Sequence, residues 1–162
     1  MDHDRYPDAY LWRILKEVRT IAMVGASPDW NRPSYFAMKY LQSKGYRVIP
    51  VNPKAVGETI LGERVYASLD EIPDRVDMVD IFRTSAAVPP IVEDAIAIGA
   101  KVAWMQIGVR NEEAARRAEA AGLSVVMNRC PKIEYGRLHR ELSWGGINSG
   151  IISSRRRVEP RQ

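Results

Sequence analysis

The stretch that most constrains the fold runs from Thr20 to Tyr35 and reads TIAMVGASPDWNRPSY. It predicts a buried strand at 21–24, a tight Gly-Ala-Ser bend at 25–27, and a helix that begins at Pro33. The N–H groups of such a bend and of the first helical turn have no partner inside the helix, and the helix dipole adds partial positive charge. We therefore expect this stretch to hold an anionic group.

The individual residues of this stretch suit that purpose. Gly25 allows the sharp turn, Ala26 leaves room for a ligand, and Ser27 offers a hydroxyl group. Arg32 places a full charge beside the site, and Pro33 fits the first helical position, where its missing N–H costs nothing. Ser27 as a nucleophile is the weaker interpretation, because no histidine base is expected near it.

The composition limits the class of protein. The chain has 162 residues, 46% of them hydrophobic, which suits one domain with a substantial core. It has no apolar run long enough to cross a membrane, and its polar, acidic beginning does not resemble a secretory signal. A single cysteine excludes an internal disulfide and a thiolate zinc site. We therefore expect a cytoplasmic protein without a structural metal.

The basic excess lies in the tail. Residues 129–162 contain eight of the 24 Lys and Arg but three of the 20 Asp and Glu. The run at 155–157 could touch nucleic acid, but no aromatic residues interleave with these arginines, so a solvated, disordered end at 143–162 is favoured. We expect the folded domain to comprise residues 1–142, with a docking helix at 8–18.

Apolar strands alternate with helices of ten to twelve residues along the chain. Strands are predicted at 21–24, 47–51, 78–82, 102–107 and 123–127, with a brief edge strand at 65–66, and helices at 33–44, 89–98 and 111–121. This alternation predicts a single α/β domain with a doubly wound, Rossmann-like parallel sheet, in the order 3-2-1-4-5 with a sixth strand as an option. The segment 55–64 is predicted to be a loop, and 133–142 a further helix.

A ligand crevice is expected where the strand order reverses, between the strands at 21–24 and 78–82. After the second strand an NAD site has Asp or Glu for the ribose hydroxyls, whereas this chain has Asn52, Pro53 and Lys54. A cation there would attract a ribose phosphate. The sequence therefore disfavours NAD and favours NADP or coenzyme A (CoA).

Several motifs in one order resemble the small bacterial CoA-binding proteins of the succinyl-CoA synthetase alpha-subunit type. They are VGAS at 24–27, RPSY at 32–35, GYRVIPVNPK at 45–54, IFRTS at 81–85, WMQIGV at 104–109 and NRCPKIEY at 128–135. The resemblance extends roughly from Ile14 to Tyr135. It implies a Rossmann-type domain that binds CoA.

The resemblance also implies roles for single residues. Gly25, Ala26, Ser27, Arg32 and Ser34 would hold the pyrophosphate, and Lys54, preceded by Asn52 and Pro53, would meet the 3′-phosphate. The adenosine and the pantetheine arm would be bordered by Phe82, Arg83, Thr84, Gln106 and Ile107.

The chain departs from the synthetase pattern in one respect. The alpha subunit continues into a second domain that carries the phosphorylated histidine, whereas the two histidines of this chain are His3, in an expected frayed terminus, and His139. We therefore do not carry over the ligase chemistry.

Four other residues have alternative interpretations. Arg83 either borders a ligand or pairs with Asp80 or a neighbouring acid, and a buried Asp80 needs a hydrogen-bond partner. Trp30 either covers an adenine or packs on the surface. Cys130 follows the last strand, where a mixed disulfide with CoA is chemically feasible, and a small, partly buried residue before Pro131 is the alternative.

The sequence thus favours a domain that binds CoA or an acyl-CoA without catalytic machinery of its own. An NADP-dependent oxidoreductase or redox sensor is one alternative, and an accessory subunit that docks on an acyl-CoA enzyme is another. Its partner would be a small nucleotide, not a membrane, and exposed helices leave a homodimer open. The acyl group and the physiological role are not specified by the sequence.

Overall fold

The computed structural model describes the backbone of residues 1–149 and the side chains of residues 1–140. The helices are α1 (Asp8–Glu17), α2 (Pro33–Ser43), α3 (Val88–Ala97), α4 (Glu112–Ala120) and α5 (Pro131–Ser149). The strands are β1 (Thr20–Val24), β2 (Arg47–Val51), β3 (Thr59–Ile60), β4 (Glu63–Arg64), β5 (Met78–Ile81), β6 (Val102–Met105) and β7 (Ser124–Val126). In this part of the chain, no helix has both the length and the apolar character that a membrane crossing needs.

Five strands form one parallel sheet in the order β2-β1-β5-β6-β7. The brief edge strand predicted at 65–66 is a single parallel bridge between Tyr66 and Val51, beside β2. If this bridge is counted as a strand, the sheet has six strands, and their order is the predicted one. The doubly wound α/β fold is confirmed. The strand order reverses at β1, between β2 and β5.

Helices cover both faces of the sheet, because the strands are apolar on both sides. On one face, α3 and α4 pack on alternate residues that include Ala22, Val79 and Ala103. On the other face, α1, α2 and α5 pack on the intervening residues, among them Met23 and Trp104. The burial of Trp104 in this core was expected from its place in a strand.

The N-terminal segment docks on the exposed edge of β7. The Tyr6 hydroxyl accepts a hydrogen bond from Met127 N (2.7 Å), and the Tyr10 hydroxyl pairs with both the carbonyl (2.8 Å) and the amide (3.0 Å) of Val125. These bonds satisfy edge groups that would otherwise be open to another strand. The expectation of a frayed terminus around His3 is therefore wrong, since His3 also contacts Tyr6 (2.6 Å).

Local boundaries differ from the expectations at two places. The segment predicted to be a loop at 55–64 contains the β3–β4 hairpin, whose turn residues Leu61 and Gly62 have φ angles of 47° and 85°. Helix α5 runs past 142 to Ser149, and the disorder expected for the tail lies outside the described residues from 150 onward.

Asp80 is a buried polar residue within β5. It lies opposite Met23 of β1 and Trp104 of β6, is 0% exposed, and neither carboxyl oxygen has a hydrogen-bond partner among the described residues. Burial raises the pKa of this carboxyl well above its ordinary value. The expected hydrogen-bond partner and the alternative ion pair with Arg83 are therefore both wrong.

This burial predicts a pH-dependent stability. The unfolded chain releases the Asp80 proton at a lower pH than the native protein, so the free energy of unfolding falls as the pH rises above about 4. We expect Asp80→Asn to remove this dependence and to raise the free energy of unfolding at neutral pH by at least about 1 kcal/mol. Urea unfolding across the acidic to neutral range measures both effects. Asp94→Asn, an exposed acid on α3, is the charge-matched control, and equal effects of the two variants would contradict the prediction.

Candidate functional site

The bend after β1 is built around Gly25. This residue has a φ of +89°, and a β-carbon placed on it would lie 2.2 Å from the carbonyl oxygen of Phe82, which follows β5. Phe82 N in turn donates to Val24 O (2.8 Å). A side chain at position 25 is excluded both by the backbone angle and by this contact. The bend therefore lies directly against the carboxyl end of β5, as the switch point requires.

Asn52 joins the end of β2 to the same bend. Its side-chain amide donates to Ala26 O (2.9 Å), and its side-chain oxygen accepts from Lys54 N (2.9 Å). Pro53 and Lys54 are exposed in the turn that follows. Asn52 thus fixes the position of the Lys54 backbone relative to the bend.

Protein atoms occupy two of the amides that were expected to be open. Gly25 N donates to Val51 O (2.8 Å), and Ser27 N donates to the Ser34 hydroxyl (3.0 Å). The expectation of unpartnered amides is therefore wrong for these two residues. Within residues 1–149, no acceptor is found for the amides of Ala26 and Ser34, so these remain as donors at the bend.

The first turn of α2 continues this surface. Arg32 is the N-cap residue, and its carbonyl accepts from Tyr35 N (3.0 Å) and Phe36 N (3.3 Å). The side chain of Arg32 is exposed, and Trp30 is among the most exposed large side chains of the described residues.

A cleft of about 810 Å³ opens next to the bend. Its walls come from the segments after β5 and β6, the first turns of α2, and the start of α5, and they are mainly apolar. The lining residues are Pro33, Phe36, Ala37, Phe82, Arg83, Thr84, Gln106, Ile107, Val109, Cys130, Lys132 and Ile133.

Gln106 is the buried polar residue in this wall. It is 7% exposed, its backbone N donates to Ile81 O (3.2 Å), and its side-chain carbonyl oxygen has no partner among the described residues. A buried acceptor without a partner costs about 1–3 kcal/mol. A ligand that donates a hydrogen bond to Gln106 would recover part of this cost.

The structure divides the expected site residues into two neighbouring groups. Those that line the cleft are Phe82, Arg83, Thr84, Gln106 and Ile107, and Gly25 touches this group through Phe82. The others lie at the bend, at the start of α2 or after β2, outside the cleft wall: Ala26, Ser27, Arg32, Ser34, Asn52, Pro53 and Lys54.

Sequence reasoning missed the contributions of two helices. Phe36 and Ala37 come from α2, and Lys132 and Ile133 come from α5. The position of α5 after the last strand was a signal for the second pair, since strand ends meet at this edge. Among the described residues, no cluster of His, Cys, Asp and Glu has the arrangement of a metal site.

Comparisons with known proteins agree with this architecture. A family model described as CoA binding domain matches residues 19–136. The Bacillus subtilis protein YneT is 36% identical over 127 residues, which cover 78% of this chain and 93% of YneT. The structure of a hypothetical protein from Pyrococcus horikoshii has a TM-score of 0.79 and 44% identity, and the match covers 83% of this chain and 94% of that one.

A third relative is a much larger protein. The alpha subunit of an ADP-forming acetate–CoA ligase I from Pyrococcus furiosus is 38% identical over 88 residues, which cover 52% of this chain and 19% of the subunit. The resemblance drawn from the sequence motifs is confirmed by these matches. Because the family model spans most of the chain and the bend and cleft lie within the matched residues, this protein belongs to the CoA binding domain family.

Proposed function

We propose that this protein binds CoA or an acyl-CoA in the cleft at the carboxyl ends of the parallel strands, without catalytic machinery of its own. The observation that carries the proposal is the buried carbonyl oxygen of Gln106, which has no partner among the described residues, in a mainly apolar wall. The pantetheine arm of CoA is a largely apolar chain with two amide N–H groups. Such an arm matches an apolar cleft that presents one buried acceptor.

The phosphates of CoA would lie on the bend beside the cleft. The donors there would be the amides of Ala26 and Ser34, which have no acceptor among the described residues, the Ser27 hydroxyl and the Arg32 side chain. The α2 N-terminus adds partial positive charge. Lys54, whose backbone N donates to the Asn52 side chain, would meet the 3′-phosphate. The two groups of site residues would thus bind the two halves of one ligand.

The charges along the cleft favour binding over acid–base chemistry. Among the described residues that line it, Arg83 and Lys132 carry charge, and none has a carboxylate or an imidazole. General acid–base catalysis at neutral pH most often uses those two groups. The ADP-forming ligase relatives are several times longer than the matched segment, so we transfer from them the binding of CoA and no reaction.

Gln106→Leu tests the central contact. Removal of an unpartnered acceptor should leave the stability of the free protein unchanged or raise it by about 1 kcal/mol, whereas the affinity for CoA should fall about tenfold because the arm loses its acceptor. Urea unfolding and calorimetric titration with CoA measure the two quantities. Gln42→Leu is the control, because Gln42 lies on α2 and its amide donates to Leu61 O (3.1 Å). That variant should lose stability and keep its affinity, and an unchanged affinity in Gln106→Leu would refute the contact.

Lys54 is tested by comparing ligands. We expect CoA to bind about fivefold more tightly than dephospho-CoA, and we expect Lys54→Gln to abolish this difference, because an exposed ammonium–phosphate contact contributes about 1 kcal/mol. NADP carries a ribose phosphate without the pantetheine arm and should bind more weakly than CoA. Lys101→Gln is the control, because Lys101 directly precedes β6 at the amino ends of the strands, opposite the cleft. This variant should bind both ligands as the unsubstituted protein does. If the unsubstituted protein binds CoA and dephospho-CoA with equal affinity, Lys54 does not contact the 3′-phosphate.

Gly25→Ala tests the geometry of the bend, and Gly57→Ala provides a matched control. Both glycines have φ angles near +90°, but a β-carbon at position 57 meets no atom within 4 Å, whereas one at position 25 meets Phe82 O at 2.2 Å. Both variants should lose about 1–2 kcal/mol of stability from backbone strain. Gly25→Ala should lose more, and its CoA affinity should fall at least about tenfold as the bend shifts. Similar titration curves for the two variants would contradict a phosphate site at the bend.

A further inference from the structure

Cys130, the only cysteine in the sequence, lies between β7 and α5. Its side chain lines the cleft described above and is 7% exposed. Its carbonyl accepts from Glu134 N (2.9 Å), so it occupies the position just before the first turn of α5. The one thiol of the protein therefore lies in the wall that we assign to a thiol cofactor.

Two features near this thiol point to a ligand. Gln106, in the same wall, has a buried carbonyl oxygen without a partner among the described residues. The N-terminal end of α5, which begins just after Cys130, adds partial positive charge, while Lys132 in the same wall has its ammonium over the Tyr40 ring (5.8 Å).

The site residues follow one another along the carboxyl ends of the strands, and Cys130 is the last of this series. Lys54 follows β2, Gly25 follows β1, Phe82 follows β5, Gln106 follows β6 and Cys130 follows β7, in the same order as the strands in the sheet. Four spacings of roughly 4.8 Å make this edge about 19 Å wide. A CoA molecule held by its phosphates at β2 and β1, with its arm along this edge, would bring its sulfur toward Cys130.

We propose that Cys130 exchanges with a CoA disulfide bound in the cleft and forms a mixed disulfide with CoA. This inference rests on the proposed function. The Cys130 thiolate attacks the nearer sulfur of CoA–S–S–CoA, the S–S bond of that reagent breaks, and a Cys130–S–S–CoA bond forms. The other CoA leaves as a thiolate and takes a proton from water, so one disulfide is consumed and one is made.

The shape of the cleft suits this exchange. Phe36, Ile107 and Ile133 line it and are 48%, 58% and 52% exposed, so its mouth is open to solvent and the leaving half can depart. Cys130 itself is buried, which limits access for disulfides that do not bind in the cleft. Cys130 should therefore react faster with CoA disulfide than with a chemically similar disulfide that does not bind in the cleft.

The experiment follows adduct formation on the reduced, full-length protein by intact-mass spectrometry. With CoA disulfide, the mass should rise by one CoA moiety, at a rate at least about tenfold higher than the rate of adduct formation with oxidised glutathione. Adenosine 3′,5′-bisphosphate, which can compete for the phosphate site without carrying a thiol, should slow the reaction. Dithiothreitol should reverse the adduct, and Cys130→Ser should form none.

A parallel calorimetric titration with reduced CoA separates the two proposals. If CoA binds but no adduct forms, or if oxidised glutathione reacts as fast as CoA disulfide, the role of Cys130 is refuted and the proposed function stands. If CoA does not bind, both are refuted. An adduct that forms selectively and is slowed by the bisphosphate supports the exchange at a site that also holds the nucleotide.

Discussion

The contact between Gly25 and the carbonyl group of Phe82 determines how the carboxyl edge of the sheet is assembled. The backbone at position 25 comes so close to the end of β5 that a β-carbon would lie 2.2 Å from this oxygen. Gly25 N also donates to Val51 O at the end of β2, and Phe82 N to Val24 O, so one residue joins three strand ends. Backbone hydrogen bonds, together with those of the Asn52 and Ser34 side chains, therefore fix the bend beside the cleft.

Two polar side chains, one on β5 and one just after the neighbouring strand β6, have buried oxygens without partners among the described residues. Asp80 of β5 and Gln106, just after β6, are both buried, and each carries a desolvation cost that an apolar residue would avoid. They differ in position, because Gln106 lines the cleft, whereas Asp80 lies between Met23 and Trp104 within the sheet. Local conflicts of this kind in a well-packed core are expected close to functional sites.

Much of the fold could be predicted from the sequence, because alternation of apolar strands with capped helices is a local pattern. Asn111 illustrates this: it begins the helix predicted at 111–121, and its side chain caps α4 by accepting from Ala114 N (2.9 Å). The β3–β4 turn was missed because Leu61 adopts a positive φ, which is normally the preference of Gly, Asn or Asp. The docking of Tyr6 on β7, 121 residues away in sequence, depends on tertiary position and leaves no local signal.

The candidate site shows the same division between local and tertiary information. Residues at strand ends, such as Thr84 and Gln106, could be placed at one edge because parallel strands end together. The hydrogen bond from Ser27 N to the Ser34 hydroxyl could not be predicted, because it depends on the path of the loop between the two residues. Nor could the position of the first turns of α2, which border the cleft together with those of α5. Their N-terminal dipoles add positive potential at both ends of the proposed ligand, beside its diphosphate and beside its sulfur. Helix N-termini commonly hold anionic groups, so the start of α2 would stabilise the phosphates of the proposed ligand.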